Sequence, residues 1–156
     1  VEVAKSLEAY NFKDVSIKWP NDVLIGDKKV CGILLEGQIL EYIVIGIGLN
    51  VNQKVFPNDL RRPATSLSLE AKKDFDINVL ERKLFDNIVT SFKNINNNDF
   101  MTYLQSHNYL LNKRVKTIVN GETFIGEVVG MDYNFNLQIR ANDMLLHIDS
   151  GEIEIL

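Results

Sequence analysis

Lys18-Trp19-Pro20-Asn21-Asp22-Val23-Leu24-Ile25-Gly26-Asp27-Lys28-Lys29-Val30-Cys31-Gly32-Ile33-Leu34-Leu35-Glu36, followed closely by Ile45-Gly46-Ile47-Gly48-Leu49-Asn50-Val51-Asn52, is where the fold of this chain is decided. Residues 23–25 are apolar and bounded by Pro20 on one side and the turn pair Gly26-Asp27 on the other, so they predict a short strand. Residues 30–36 and 39–49 predict two further strands, joined tightly at Gly37-Gln38. Strands this close in sequence pair antiparallel, and the first expectation is therefore an antiparallel sheet.

Working outward toward the N-terminus, Val15, Ile17 and Trp19 alternate with polar residues as a strand does. Val3, Ala4, Leu7 and Tyr10 recur at helical spacing up to a stop at Asn11. Toward the C-terminus, residues 53–62 lose periodicity, and with Pro57, Asn58 and Pro63 they read as a long surface loop; residues 65–69 lead back to order. Asn78 and Glu81 form a capping-box-like pair. After them Leu80, Leu84, Ile88, Val89, Phe92 and Ile95 make one apolar helical stripe, expected to pack on the sheet. Asn96-Asn97-Asn98 should end that helix, and residues 100–105 predict a shorter one closed near Asn108. From residue 115 the texture changes to short strands, at 115–119, 123–131, 137–140 and 144–148. Asn120-Gly121 reads as a type I′ hairpin turn, Asn134 as a corner and Asn142-Asp143 as a second turn.

Composition narrows the function classes. With 156 residues and 46 % hydrophobic content the chain can bury a real core, as one domain with a small appendage. A net charge of −4 offers no basic field to attract nucleic acid. The longest apolar run, 39–49, is interrupted by Glu41 and two glycines and falls short of the roughly 20 residues a membrane helix needs. One cysteine, Cys31, excludes an internal disulfide, and no Cys/His cluster has metal-ligand spacing, so no protein-held metal is expected and the cytoplasm is the expected compartment. The chain begins at Val1 and reads as helix from its first residues, as a fragment would.

Three segments place polar groups and glycines where a buried sheet would not choose them. Lys18-Trp19-Pro20-Asn21-Asp22 reads either as a strand-ending turn, with Asn21 and Asp22 bonding their own backbone, or as a cluster of ligand contacts. In the second segment Lys29 is either a solvated charge blunting a strand edge or a cation facing a ligand. Gly32 marks a bulge or a close approach of another backbone or a ligand. In the third, Gly46-Ile47-Gly48 lacks the third glycine and the following helix of a dinucleotide fingerprint, which is rejected. The glycines still admit a flat ligand, and an asparagine amide at the strand exit, Asn50, both donates and accepts as an adenine edge demands.

Together and in this order, KWPNDVLIGDKKVCGILLE and IGIGLNVN resemble the biotin protein ligases. In that family a K-W-P-N-D turn, a lysine seven residues after its aspartate, a G-I-L-x-E strand and a G-I-G-x-N-x-N strand belong to one adenylating site. Here these are Asp22 and Lys29. The resemblance covers essentially the whole chain, with Ser150-Gly151-Glu152-Ile153 similar to the family's closing barrel motif. It implies an α+β fold, a mixed and mainly antiparallel sheet flanked by helices as in class II aminoacyl-tRNA synthetases, followed by a small SH3-like β-barrel. Residues 1–110 would be part of a catalytic domain and residues 111–156 the barrel.

The implied activity is that of a biotin–carboxyl-carrier-protein ligase. It activates biotin with ATP and Mg2+ to biotinyl-5′-AMP and transfers it to a lysine of the biotin carboxyl carrier domain of acetyl-CoA carboxylase. The resemblance makes Lys29 the cation on the carboxylate and α-phosphate, and Asp22 the group that orients or deprotonates the incoming lysine. Asn50 would contact adenine, Gly32, Gly46 and Gly48 would let backbone approach biotin and the adenylate, and Lys18 and Asn21 would be further contacts. The family's glycine-arginine-rich loop, which lies upstream of K-W-P-N-D, has no counterpart here. None of Arg61, Arg62, Arg82, Arg114 or Arg140 sits in such a context. The catalytic domain is therefore expected to be partial and the chain impaired alone. The rival expectations are a non-catalytic module that binds adenylate or forms a homodimer, and a lipoate-protein ligase.

Overall fold

A computed structural model of the chain describes residues 1–38, 41–60, 62–94 and 96–156, with only the backbone at Asn97. The chain packs as two compact units, Val1–Ile17 with Asn21–Asn96, and Lys18–Pro20 with Asn97–Leu156. It is an α+β protein with two antiparallel sheets.

The first unit opens with α1 (Glu2–Ala9), whose buried face is Val3, Ala4 and Leu7. Tyr10 caps it and Asn11 turns the chain in a left-handed conformation (φ 66°), as expected from the sequence. The first sheet has the order β1-β2-β3-β4, from β1 (Val15–Lys18), β2 (Asp22–Ile25), β3 (Lys28–Gln38) and β4 (Tyr42–Leu49). β2 is buried on both faces, whereas the distal half of β3 and most of β4 are exposed. The tight join expected at Gly37-Gln38 is corrected: both residues lie inside β3, paired with Ile43 and Tyr42, and Glu41 N–H closes the hairpin on Gln38 O (3.0 Å). The expected start of the next strand at Ile39 falls outside the described residues.

After the loop, α2 (Leu67–Ala71) is capped by Ser66, whose Oγ accepts from Leu69 N–H. α3 (Ile77–Lys93) is capped by Asp76 and not by Asn78: Asp76 Oδ1 accepts from the N–H groups of Asn78 (2.9 Å) and Val79 (3.2 Å). Those are the donors a helix start leaves without partners, and a carboxylate two residues upstream reaches them where Asn78 itself does not. The α3 stripe packs against α1, with Leu80 its buried residue, while Phe85 and Phe92 are exposed.

In the second unit α4 (Asn97–Ser106) begins inside the asparagine run rather than after it. A five-stranded sheet follows in the order β8-β7-β6-β5-β9, from β5 (Arg114–Val119), β6 (Glu122–Met131), β7 (Leu137–Ala141), β8 (Met144–Ile148) and β9 (Glu154–Ile155). β9 is a strand the sequence did not announce. Asn120 and Gly121 both have positive φ (52° and 83°), the type I′ signature. The core is built from Met101, Leu110, Val115, Val128, Leu137 and Ile139, and it includes Trp19, whose indole N–H donates to Phe135 O (3.2 Å). Trp19 is thus a core residue of this unit and not a member of an alternating strand. In its described pairings this sheet is open, with β8 and β9 as its ends. Among the described residues no helix is long and apolar enough to cross a membrane.

Candidate active site

Three adjacent strands bring the sequence's candidate residues into one row. Asp22 on β2 pairs with Gly32 on β3, and Gly32 pairs with Gly48 on β4; two positions along, Leu34 pairs with Gly46. Directly paired residues share a face, and so do residues two apart, so Asp22, Gly32, Gly46 and Gly48 line one side of the sheet. By strict alternation Lys29, three residues before Gly32, would face the other side. A bulge resolves this: the register shifts between Val23 and Leu24, so that Cys31 pairs with Val23 but Lys29 with Leu24, leaving Val30 as an extra residue on β3.

The extra residue turns Lys29 onto the Gly32 face, where its Nζ meets Asp22 Oδ1 at 2.6 Å. A Cβ added to Gly32 would lie 3.0 Å from that Nζ and 3.2 Å from Cε. The space left by the missing Gly32 side chain is therefore occupied by the lysine. Gly48 and Gly46 have only backbone and Leu34 Cβ nearby, at 3.7 Å or more, and continue the row as a bare floor.

The backbone of Lys29 is held from the far side of the loop. Its N–H donates to Pro63 O and its carbonyl accepts from Thr65 N–H, both at 2.9 Å, around a parallel bridge to Ala64. Asn50 locks that segment in turn, donating Nδ2 to Thr65 O (3.0 Å), while its N–H bonds Val30 O and its carbonyl takes Leu67 N–H. Its amide nitrogen already has a structural duty that a ligand contact would compete with. Glu70 receives Thr65 Oγ1 (2.6 Å) and Lys28 Nζ (2.5 Å). Burial alone would raise its carboxyl, yet the hydrogen bonds from Lys28 and Thr65 hold it below its ordinary value. Cys31 is buried at the edge of this arrangement. Burial pushes its thiol up to about 12, against the opposing charge of Lys29, so it is a packing residue and not a nucleophile.

Asn21 lies beside the row but is spent on the sheet: Nδ2 donates to Ile33 O (2.8 Å) and its carbonyl accepts from Ile33 N–H (2.9 Å). Lys18 is buried and belongs to the second unit, so the structure does not group it with Lys29 and Asp22. Arg62, set aside on sequence for want of a glycine-rich setting, places Nη1 3.7 Å from Asp22 Oδ2. Nothing in its sequence neighbourhood signals this; the bridge between Lys29 and Ala64 brings it there. Among the described residues no group of three or more His, Cys, Asp or Glu could hold a metal. Asp22 itself faces a cation on each oxygen, so these residues do not fit a protein-held magnesium.

An ammonium and a guanidinium stand around one carboxylate, beside a row of glycines on the antiparallel sheet of an α+β domain. The model of the biotin/lipoate A/B protein ligase family matches residues 1–50. The chain is 36 % identical to the bifunctional ligase/repressor BirA of Bacillus subtilis, an alignment that covers 99 % of this chain and 50 % of that protein. It superposes on the apo structure of biotin protein ligase from Aquifex aeolicus with a TM-score of 0.84 at 30 % identity, covering 99 % of this chain and 71 % of that one. With the same enzyme in complex with biotin and ATP the TM-score is 0.85 at 30 % identity, covering 99 % and 67 %. The chain belongs to the biotin protein ligase family, and it spans about half the length of the curated relatives it matches.

Proposed function

We propose that this chain carries the lysine-bearing part of a biotin protein ligase site, which activates biotin with ATP to biotinyl-5′-AMP and passes the biotinyl group to a lysine of the biotin carboxyl carrier domain of acetyl-CoA carboxylase. The observation that carries the reading is Lys29, turned by a bulge onto the Asp22–Gly32–Gly48 row and paired with Asp22 at 2.6 Å.

In the first step a biotin carboxylate oxygen attacks the α-phosphorus of ATP and the bond to pyrophosphate breaks. Both reactants are anions, and a fixed cation where their charges meet lowers the barrier. We assign that role to Lys29. Magnesium, expected with ATP, would be carried on the substrate's phosphates, because the described residues do not supply its donor set. In the second step the carrier lysine attacks the acyl carbon, AMP leaves, and the amine must lose a proton. Asp22, relieved of Lys29 by the ligand phosphate, would accept it. Gly32, Gly46 and Gly48 form the floor on which the ligand lies, and Asn50 sits where an adenine edge could exchange for its bond to Thr65. Asn21 shapes the turn that sets Asp22 at the end of the row.

We read residues 1–110 as part of the catalytic domain and residues 111–156 as an SH3-like barrel, in a cytoplasmic protein. A second reading, a module that binds adenylate or dimerises without catalysis, is favoured by the exposed apolar edge of β4. Calorimetric titration with biotinyl-5′-AMP tests the first reading. Wild-type binding, and a loss of at least about tenfold in Lys29→Ala, a charge-assisted contact's worth, is the expected result; equal affinities would remove Lys29 from the site.

A further inference from the structure

Lys28 and Lys29 stand side by side at the entrance of β3, and each meets a different carboxylate: Lys28 Nζ donates to Glu70 Oε1 at 2.5 Å and Lys29 Nζ to Asp22 Oδ1 at 2.6 Å. The Lys29 pair holds little by itself. Its lysine side chain is 40 % exposed, and a lysine gives up much side-chain freedom to stay in one place, so such a pair contributes little unless its base is fixed. A hydrogen bond tolerates a displacement of roughly a few tenths of an ångström. The ammonium sits at the end of a long flexible stem, so a small turn of the Lys29 backbone carries it away from Asp22.

That base is fixed from α2. The Lys29 carbonyl accepts Thr65 N–H at 2.9 Å. Thr65 is buried, and its hydroxyl donates to Glu70 Oε1 at 2.6 Å, the same oxygen that takes Lys28. One carboxylate oxygen thus holds the side chain of the residue before Lys29 and the backbone partner of Lys29 itself. Glu70 is set in turn by its helix, which Ser66 caps and in which Glu70 N–H closes on Ser66 O (3.2 Å). Burial opposes ionisation of Glu70, but the bonds from Lys28 and Thr65 hold its carboxyl below its ordinary value, so near neutral pH it is a carboxylate that only accepts.

We propose that Glu70 is a positioning residue of this site: by gripping Lys28 and Thr65 on one carboxylate oxygen it fixes the backbone from which Lys29 reaches Asp22 and the anionic group of the ligand. The inference rests on the ligase reading and deepens it. Glu70 acts through Lys29 and not on the ligand. A partly exposed pair such as Lys28–Glu70 adds little to folding; its use lies in its place, one residue from the cation that must be held still.

The test reads Lys29 first and the ligand second, on the whole chain. Trace acetylation by acetic anhydride at neutral pH, resolved by site in a mass spectrometer, reports how available each lysine amine is, and calorimetry with biotinyl-5′-AMP reports binding. Glu70→Ala is expected to raise the acetylation rate of Lys29 about threefold, to leave that of the exposed Lys93 on α3 unchanged, and to weaken the adenylate about fivefold. Glu70→Gln, which keeps an acceptor oxygen of the same reach for Thr65 and Lys28, is expected to recover more than half of both effects. Ser66→Ala removes the cap of α2 without removing either bond to Glu70 Oε1 and is expected to leave Lys29 close to wild type. A wild-type acetylation rate at Lys29 in Glu70→Ala overturns the proposal, because the ammonium then does not need Glu70. An equal rise in Ser66→Ala overturns it too, because any loosening of α2 would then do the same. A chain whose Lys29 responds to Glu70→Ala but which binds no adenylate as wild type overturns the ligase reading and leaves the hold of Glu70 on Lys29 in place.

Discussion

At the scale of single residues, Gly32 shows how the missing atom shapes a site. The glycine keeps the space in which the Lys29 side chain lies, and a methyl group there would stand 3.0 Å from its Nζ. The atoms it would press on are the far end of a flexible side chain, so they can move away at little cost to folding. What moves is the ammonium, away from Asp22 and off the row. Gly32→Ala is therefore expected to lower affinity for biotinyl-5′-AMP by about fivefold, roughly 1 kcal/mol, while the melting temperature stays close to wild type. Unchanged affinity would mean the ammonium does not need that place.

At the scale of elements, the β6–β7 connection is held by one carboxylate. Asp132 Oδ1 accepts the N–H groups of Asn134 (2.9 Å) and Asn136 (3.0 Å), and Oδ2 accepts Asn136 Nδ2 (3.0 Å) and His147 Nδ1–H (2.7 Å), the last reaching over from β8. Chiefly through His147, against the opposing effect of desolvation that ranks next, and then through Asn136 and Asn134, these donors hold the Asp132 carboxyl down to about 2. A carboxyl lowered by folding stabilises the fold above its ordinary value near 3.9, and that contribution is lost as pH falls through 2. Asp132→Asn is thus expected to melt below wild type at pH 7, with the gap closing between pH 4 and pH 2. A gap that is constant across that range in thermal scans would show that the charge is not what holds the turn.

At the scale of the whole molecule, the first sheet ends on β4 with its apolar side chains uncovered. Ile43 is 71 % exposed, with Tyr42, Val44, Leu34 and Leu35 exposed around it. An edge strand with open backbone groups and apolar side chains pairs with other chains unless something blunts it. The chain is expected to self-associate, and Ile43→Lys, a charge on that edge, to shift it toward monomer. Sedimentation equilibrium reads this directly; a wild-type chain that stays monomeric at every concentration would show that the exposed edge does not drive association.

Much of this organisation was legible in the residues. The hairpin strands, the Asn120-Gly121 turn, the end of α1 at Asn11 and the helical period of α3 are local, set by side-chain periodicity and by which residues tolerate positive φ. The candidates Asp22, Lys29, Gly32, Gly46, Gly48 and Asn50 were legible as a motif. What stayed hidden depends on register and on contacts between distant segments. That Lys29 faces the same side as Gly32 follows from one extra residue in β3, and no alternation pattern shows a bulge. That Trp19 leaves the motif for the core of the second unit, that Asp76 and not Asn78 caps α3, and that β9 adds a strand are choices among locally acceptable options, settled by packing. Arg62 is the clearest case. Read along the chain it is an ordinary loop arginine, and only a bridge between Lys29 and Ala64 sets it beside Asp22, because electrostatic partnership depends on distance in space and sequence carries that distance only where strands pair.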